Sequence, residues 1–318
     1  MNKETCKPVE SKIITNPVST VNGVMNIYKP VGITSMDVVR RVKKITLLKR
    51  VGHGGTLDPF ASGVLPIGLG KGTKMMDYMI NSTKIYRGIV ELGIETDTYD
   101  VQGRVIRKSD NSSVTIQQIE DCISKFIGEI YQVPPMYSAL KVRGKRLYDL
   151  ARSGLEVDRE PRKVKVFNIA LLNWTSPLLE IEVECGKGFY MRSLAYDLGN
   201  MIGCGAYLKE LVRIRTGHFD ASDSTSLIEL EKCSNDYRWK KFVKGPDFVV
   251  SHFPKISVDS KVEKQLRNGQ PVSRDLQEIV SSSQKEYRIY NNLGSFFGML
   301  GYDFSSNEWK MQRIMNLG

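Results

Sequence analysis

Polar and apolar positions divide the chain into stretches of different period. Residues 1–22 are polar and form no apolar run. VMNIYKPVGIT (24–34) then reads as a short strand with a Pro-Gly turn, and Thr34 with Asp37 forms a capping box that opens a helix. Met36, Val39 and Val42 mark the expected buried side of that helix. KIYRGIVEL (84–92) alternates as a strand, whereas TIQQIEDCISKFIG (115–128) repeats Ile116, Ile119, Ile123 and Phe126 at helical spacing, with Gly128 as its expected stop. In LLEIEVEC (178–185), Leu179, Ile181, Val183 and Cys185 share one face and three glutamates the other, which predicts an antiparallel sheet with one wet face. After the turn GKG, Met191, Leu194, Ala195, Leu198, Met201 and Ile202 make a helical stripe, with Arg192 just off its buried side. Beyond residue 250, YRIYNNLGSFFGMLGYDF alternates short apolar runs with Asn-Asn and Gly turns, like a small β barrel.

Strands outnumber βαβ crossovers, so the predicted class is α+β, with a mixed, mainly antiparallel central sheet flanked by helices. The expected division is a polar extension (1–22), a main domain (23–250) and a small β-rich domain (251–318). No internal repeat points to a solenoid.

Composition changes this picture in one respect. The 318 residues carry ordinary globular proportions, but a net charge of +11, which favours a polyanionic partner such as nucleic acid or an anionic membrane surface. Six bases and no acids fall between residues 40 and 50. Five cysteines are scattered without a CxxC pair, which fits a reducing cytosol and argues against both disulfides and a zinc site. No apolar run approaches the 18 residues of a membrane span, so a cytoplasmic location is expected.

Several chemistries fail on spacing. In GVLPIGLGKGTK (63–74), Lys71 is followed by Gly72 rather than Ser or Thr, so the phosphate loop is absent. Gly68, Gly70 and Gly72 do not fit the dinucleotide fingerprint. Three histidines without an HxxxH pair disfavour metal hydrolysis and His-based triads, and no metal is expected. What remains is GHGGTLDPFASGVLP (52–66), in which four glycines and two prolines surround a single carboxylate, Asp58. A Leu-Asp-Pro turn held by glycines presents one acid on a rigid bend, although Asp before Pro is also a common turn former.

This loop strongly resembles the signature of the TruB family of tRNA pseudouridine synthases. Further segments match in the family's order: KPVGITSMDVV (29–39), KIYRGIVELGIETDTYDVQG (84–103), PPMYSALKVRGKRLYDLAR (134–152) and CGKGFYMRSLAYDLG (185–199). The resemblance spans roughly residues 24–217 and implies a pseudouridine synthase fold with a PUA-like C-terminal barrel and an RNA-gripping insertion at about 130–155. It implies Asp58 as catalytic nucleophile, Arg192 as its partner, and Tyr86 stacking on the target base and assisting removal of the C5 proton. Tyr190 and Leu211 fall on substrate-pocket positions, and His53 on a residue that fills the gap left by a flipped base. Lys74, Lys141, Arg143, Lys145 and Arg146 are the implied phosphate contacts, beside the bases at 40–50.

The implied reaction isomerises the uridine at position 55, in the T-loop of tRNA, and base flipping brings that uridine to the site. Breaking the C1′–N1 bond and joining C1′ to C5 involves no net redox change and no activated donor, so no cofactor is needed. The expected partner is the tRNA T-arm, with no protein partner and a monomeric enzyme. Where the family commonly reads CSKGTYIR this chain reads CGKGFYMR, so Gly186 and Phe189 replace small hydroxyl residues while Tyr190 and Arg192 stay. The alternatives are the guide-RNA-dependent (H/ACA-type) branch of the superfamily, which shares the LDP loop, and a non-catalytic tRNA-binding or folding protein on the same scaffold. The insertion around Tyr137–Arg152 speaks against the first, and an intact Asp58, Tyr86 and Arg192 against the second.

Overall fold

The computed structural model describes residues 21–315, apart from 139, 143, 156, 235–236, 273–285 and 304. The first elements are β1 (Gly23–Lys29), α1 (Ser35–Thr46), β2 (Val51–His53), β3 (Ser62–Leu69), α2 (Met76–Asn81) and β4 (Lys84–Leu92). A hairpin of β5 (Ile94–Thr96) and β6 (Val105–Lys108) precedes α3 (Ile116–Ser124) and β7 (Gly128–Gln132). The insertion carries a second hairpin, β8 (Lys141–Val142) and β9 (Lys145–Arg146), and α4 (Leu147–Arg152). There follow β10 (Arg162–Thr175), β11 (Leu178–Cys185), α5 (Met191–Ile202), β12 (Ala206–Thr216), β13 (Phe219–Asp220), β14 (Thr225–Ser226) and α6 (Leu227–Lys232). The C-terminal unit comprises β15 (Lys255–Ser257), α7 (Ser260–Arg267), β16 (Glu286–Tyr290), β17 (Phe296–Asp303) and β18 (Glu308–Ile314).

Ten strands form one sheet, in the order β14-β1-β3-β12-β4-β11-β10-β7, with β2 and β13 attached to β3 and β12. Only the β1–β14 and β3–β12 pairings are parallel, so the sheet is mixed and mainly antiparallel, as the alternating patterns predict. Strand β11 behaves as its pattern requires: Leu179, Ile181, Val183 and Cys185 are fully buried in the core cluster they share with α3 and α5, and the glutamates between them are half-buried. The Thr34–Asp37 capping box forms, with each side chain accepting from the other's backbone N–H.

Some expected faces differ. Helix α1 buries Ser35, Val38, Val39, Val42 and Ile45, while Met36 is exposed. Ile116 and Met201 are likewise exposed, at the start of α3 and the last turn of α5. Gly128 does not stop α3; the helix ends at Ser124, capped by Lys125, and Gly128 opens β7 with a positive φ of 105°. The run Ser62–Leu69, with Gly63 and Gly68, is a strand buried along its whole length between β1 and β12. At Gly63 (φ 107°) a Cβ would lie 2.3 Å from the Arg213 carbonyl oxygen, so only glycine lets β3 and β12 approach as they do.

The C-terminal strands form a separate four-stranded sheet, β15-β16-β17-β18, around its own core of Ile256, Leu266, Ile289, Phe297, Leu300 and Trp309. It docks on the main body through a shared apolar cluster that joins Val24, Val64, Met75 and Met79 to Val249, Val250, Phe296 and Met299. Lys74 Nζ donates to the Ile314 carbonyl at 2.7 Å across the same junction. No helix of the described residues is long and apolar enough to cross a membrane.

Candidate active site

Three separated segments hold the Asp58 loop in place. Ser35, the first residue of α1, accepts from Leu57 N at 2.8 Å and donates to the Leu57 carbonyl at 3.0 Å. Gly32 N donates to the Pro59 carbonyl at 2.8 Å. The fully buried Lys29 reaches from the end of β1 to the carbonyls of Pro30 (2.9 Å), Ile33 (2.7 Å) and Pro59 (3.3 Å). Burial lowers its ammonium pKa to about 8, while the nearby Asp58 charge pulls the other way. The KPVGITS and GTLDP segments are therefore one structural unit.

From the opposite side, Arg213 on β12 donates to the carbonyls of Val64 (Nε, 2.7 Å), Gly55 (Nη2, 3.1 Å) and Thr56 (Nη1, 3.3 Å). It is 1% exposed. Buried carbonyls at a tight bend need donors, and two buried cations supply them on either flank of Asp58.

Arg192 stands in the first turn of α5, which Gln132 fixes by donating to the Tyr190 carbonyl (3.2 Å) and accepting from Tyr190 N (3.0 Å). Its guanidinium faces Asp58 side-on, with Nε 2.9 Å from Oδ2 and Nη2 donating to Oδ1 at 3.2 Å. The Nε contact is an ion-pair approach whose angle is too bent for a good hydrogen bond. The arginine side chain is 3% exposed and Asp58 is 31% exposed, so the pair is rooted in protein with the carboxylate facing out. Arg192 Nη2 also donates to the Tyr137 carbonyl at 2.8 Å, and Nη1 lies 3.4 Å from Oδ2 of Asp100. Asp100 is buried and accepts from Thr98 Oγ1 (2.6 Å) and Gln102 N (2.9 Å). Burial pushes its carboxyl above the usual range, and the Arg192 charge opposes that rise.

Asp58 and Arg192 stand on the wall between two cavities. The smaller, about 270 Å³, is lined by Tyr86, Tyr190, Leu211, Lys84 and Phe189 besides the pair itself. The larger, about 1110 Å³, opens past His53, Thr34, Arg40, Asp97 and Arg104. A compact pocket with tyrosine, phenylalanine and leucine in its wall, beside a much wider cleft, suits a flat base taken out of a bulky polyanion, with the carboxylate at the threshold.

Matches to known proteins bear on what this arrangement is. Residues 43–191 match the profile of "TruB family pseudouridylate synthase (N terminal domain)", and residues 192–244 that of "tRNA pseudouridylate synthase B C-terminal domain". A protein of Dehalococcoides mccartyi named tRNA pseudouridine synthase B is 44% identical over 88% of this chain and 92% of its own. Its namesake in Clostridium acetobutylicum is 46% identical over 88% of this chain and 95% of its own. The chain belongs to the TruB family. Among solved structures it resembles a chain of a Cbf5–Nop10–Gar1 complex, with a TM-score of 0.71 at 24% identity, covering 94% of this chain and 85% of that one. A chain of an archaeal box H/ACA sRNP Nop10–Cbf5 complex gives 0.69 at 22% identity, covering 95% and 89%. At such identities the likeness concerns the fold.

Within the TruB fold the sequence-predicted residues separate into groups. Asp58, Tyr86, Tyr190, Arg192 and Leu211 converge on the smaller cavity. His53 lines only the larger one, where burial, then the Arg213 charge, lowers its imidazole pKa. Lys141, Lys145 and Arg146 lie on the insertion hairpin, and Arg143 falls outside the described residues. Lys74 is exposed but lines neither cavity; its amine is engaged by the C-terminal unit. Asp100, Lys29 and Arg213 were not singled out from the sequence. Their roles depend on partners far along the chain, and no local pattern signals them.

Proposed function

We propose that this TruB-family protein isomerises the uridine at position 55, in the T-loop of tRNA, to pseudouridine, without a cofactor and with Asp58 as the nucleophile. The observation that carries this reading is the two-point contact of Arg192 with Asp58 at the mouth of a pocket lined by Tyr86, Tyr190 and Leu211. The reaction requires an ionised carboxylate at the sugar or base and a group that takes the C5 proton after re-attachment. Arg192 gives Asp58 an adjacent cation, and Asp100 holds Arg192 from behind.

Tyr86 and Tyr190 supply aromatic surface for a flipped base, and Leu211 floors the pocket. Burial raises the hydroxyl pKa of both tyrosines, so neither is a free phenolate at neutral pH. His53, in the wider cleft, is placed for the space that the base vacates. The bases of α1, the insertion hairpin and Lys74 are assigned to phosphate contacts, with a salt-dependent share of affinity. The enzyme is taken to be cytoplasmic and monomeric, with division near residue 250 into a catalytic domain and a PUA-like domain.

The test is site mapping on an unmodified tRNA transcript incubated with the purified protein. Carbodiimide marking and primer extension are expected to report one new pseudouridine, in the T-loop, without added RNA or protein. A product formed only with a guide RNA favours the guided branch. Salt-sensitive binding with no product favours an RNA-folding protein.

A further inference from the structure

Arg213 makes more contacts than a structural arginine in a sheet needs. A guanidinium carries five N–H groups in a fixed fork. Three contacts go to the carbonyls of Gly55, Thr56 and Val64, which frame the Asp58 loop. The remaining capacity faces the pocket, which Arg213 helps to line. Strand register explains why. Arg213 of β12 lies directly opposite Tyr86 of β4, and Leu211 opposite Gly88, so Arg213, Tyr86 and Leu211 share one face of the sheet. On its other edge Arg213 pairs with Gly63 of β3, close behind the loop. Tyr86 lines the same cavity as Arg213, and its hydroxyl oxygen can accept one of the guanidinium N–H groups that the loop carbonyls leave over.

We propose that Arg213 is the positioning residue of this site, a single cation that locks the Gly55–Thr56 backbone ahead of Asp58 and fixes the Tyr86 hydroxyl by donating to its oxygen. The two groups assigned to chemistry, on separate strands, are thereby held in one relative geometry. The effect on Tyr86 has a definite sign. Burial raises its pKa, and the Arg213 charge opposes that rise. The inference rests on the reading of Tyr86 as the group that assists proton removal from C5.

The test is a double-mutant cycle in the full-length protein, using Arg213→Lys, Tyr86→Phe and the double variant. It is read by single-turnover release of the C5 hydrogen from tRNA, with tRNA affinity measured alongside. Arg213→Lys keeps the charge but loses the fork. It is expected to slow release by on the order of 10-fold or more with affinity unchanged, and by less than about 3-fold in the Tyr86→Phe background. Equal losses in both backgrounds, or a loss confined to affinity, would overturn the proposal. A readout independent of turnover is the ¹⁹F titration of 3-fluorotyrosine placed at position 86. Its ionisation is expected to move to higher pH when Arg213 becomes Gln, and an unmoved titration would contradict the link. Unimpaired release by Tyr86→Phe alone would instead overturn the role of Tyr86, while the titration would still decide whether Arg213 governs its hydroxyl.

Discussion

Replacing Arg192 by lysine isolates the contribution of geometry at the Asp58 pair, because charge is kept and the planar fork is lost. In the native site one guanidinium meets both oxygens of Asp58, at 2.9 and 3.2 Å, a carboxylate oxygen of Asp100 at 3.4 Å and the Tyr137 carbonyl at 2.8 Å. A lysine ammonium is a compact point charge and cannot span these four acceptors. At least two charge-assisted contacts are then lost, each worth about 1.5–3 kcal/mol. Asp58 is nearly one-third exposed, so the lower end applies and the total is about 3 kcal/mol. At about 1.4 kcal/mol per factor of ten, this corresponds to a rate lower by on the order of 10²-fold. Single-turnover release of tritium from tRNA labelled at uridine C5 measures it, with filter binding for affinity and a melting curve for the fold. Release within about 3-fold of the parent enzyme would show that the fork contributes less than about 1 kcal/mol, against the two-point contact as the source of the rate.

Asp100→Asn leaves Arg192 with one counter-charge instead of two, and the same assay is expected to show release slower by on the order of 10-fold, tRNA affinity being kept. Ser35→Ala removes both hydrogen bonds to Leu57, so urea unfolding is expected to show a loss of about 1–3 kcal/mol in stability, and an unchanged midpoint would contradict the pinning of the loop by α1. His218 and His252 share a 2.9 Å hydrogen bond, and each has its pKa lowered first by burial, with Arg215 beside one and His218 and Arg288 beside the other. The unfolded chain therefore takes up protons first as pH falls through 6.5, and stability declines from there towards the folded-state values. Melting curves at pH 7.5 and 5.5 are expected to show a smaller acid loss for His218→Gln than for the parent.

Much of the scaffold is readable from local pattern because local physics determines it. The Thr34–Asp37 box, the alternation of β11 and the stripe of α5 each report a partner or face within a few residues. Errors arise where an end or a second face decides the outcome. Met36 and Ile116 sit in first turns that project past the core, and the stop of α3 comes from its own capping at Lys125 rather than from Gly128. Strand β3 shows no alternation because both its faces are covered, and its glycines reflect close backbone approaches, of Gly63 to Arg213 in β12 and of Gly68 to Thr73, rather than a loop.

In the site, Asp58, Tyr86, Tyr190, Arg192 and Leu211, which all line the smaller cavity, were legible through motif resemblance. The three buried charges that hold them were not. Lys29, Asp100 and Arg213 look like ordinary charged residues in a charged chain until the fold supplies the carbonyls, hydroxyls and guanidinium that each one meets.

Whether the Asp58 carboxylate performs the chemistry is decided by C5-tritium release from tRNA by the parent protein and by Asp58→Asn under single-turnover conditions. The expected result is release stoichiometric with tRNA for the parent, and none above background for the variant, which still binds tRNA with parental affinity. Release by Asp58→Asn at the parental rate would rule out Asp58 as the nucleophile.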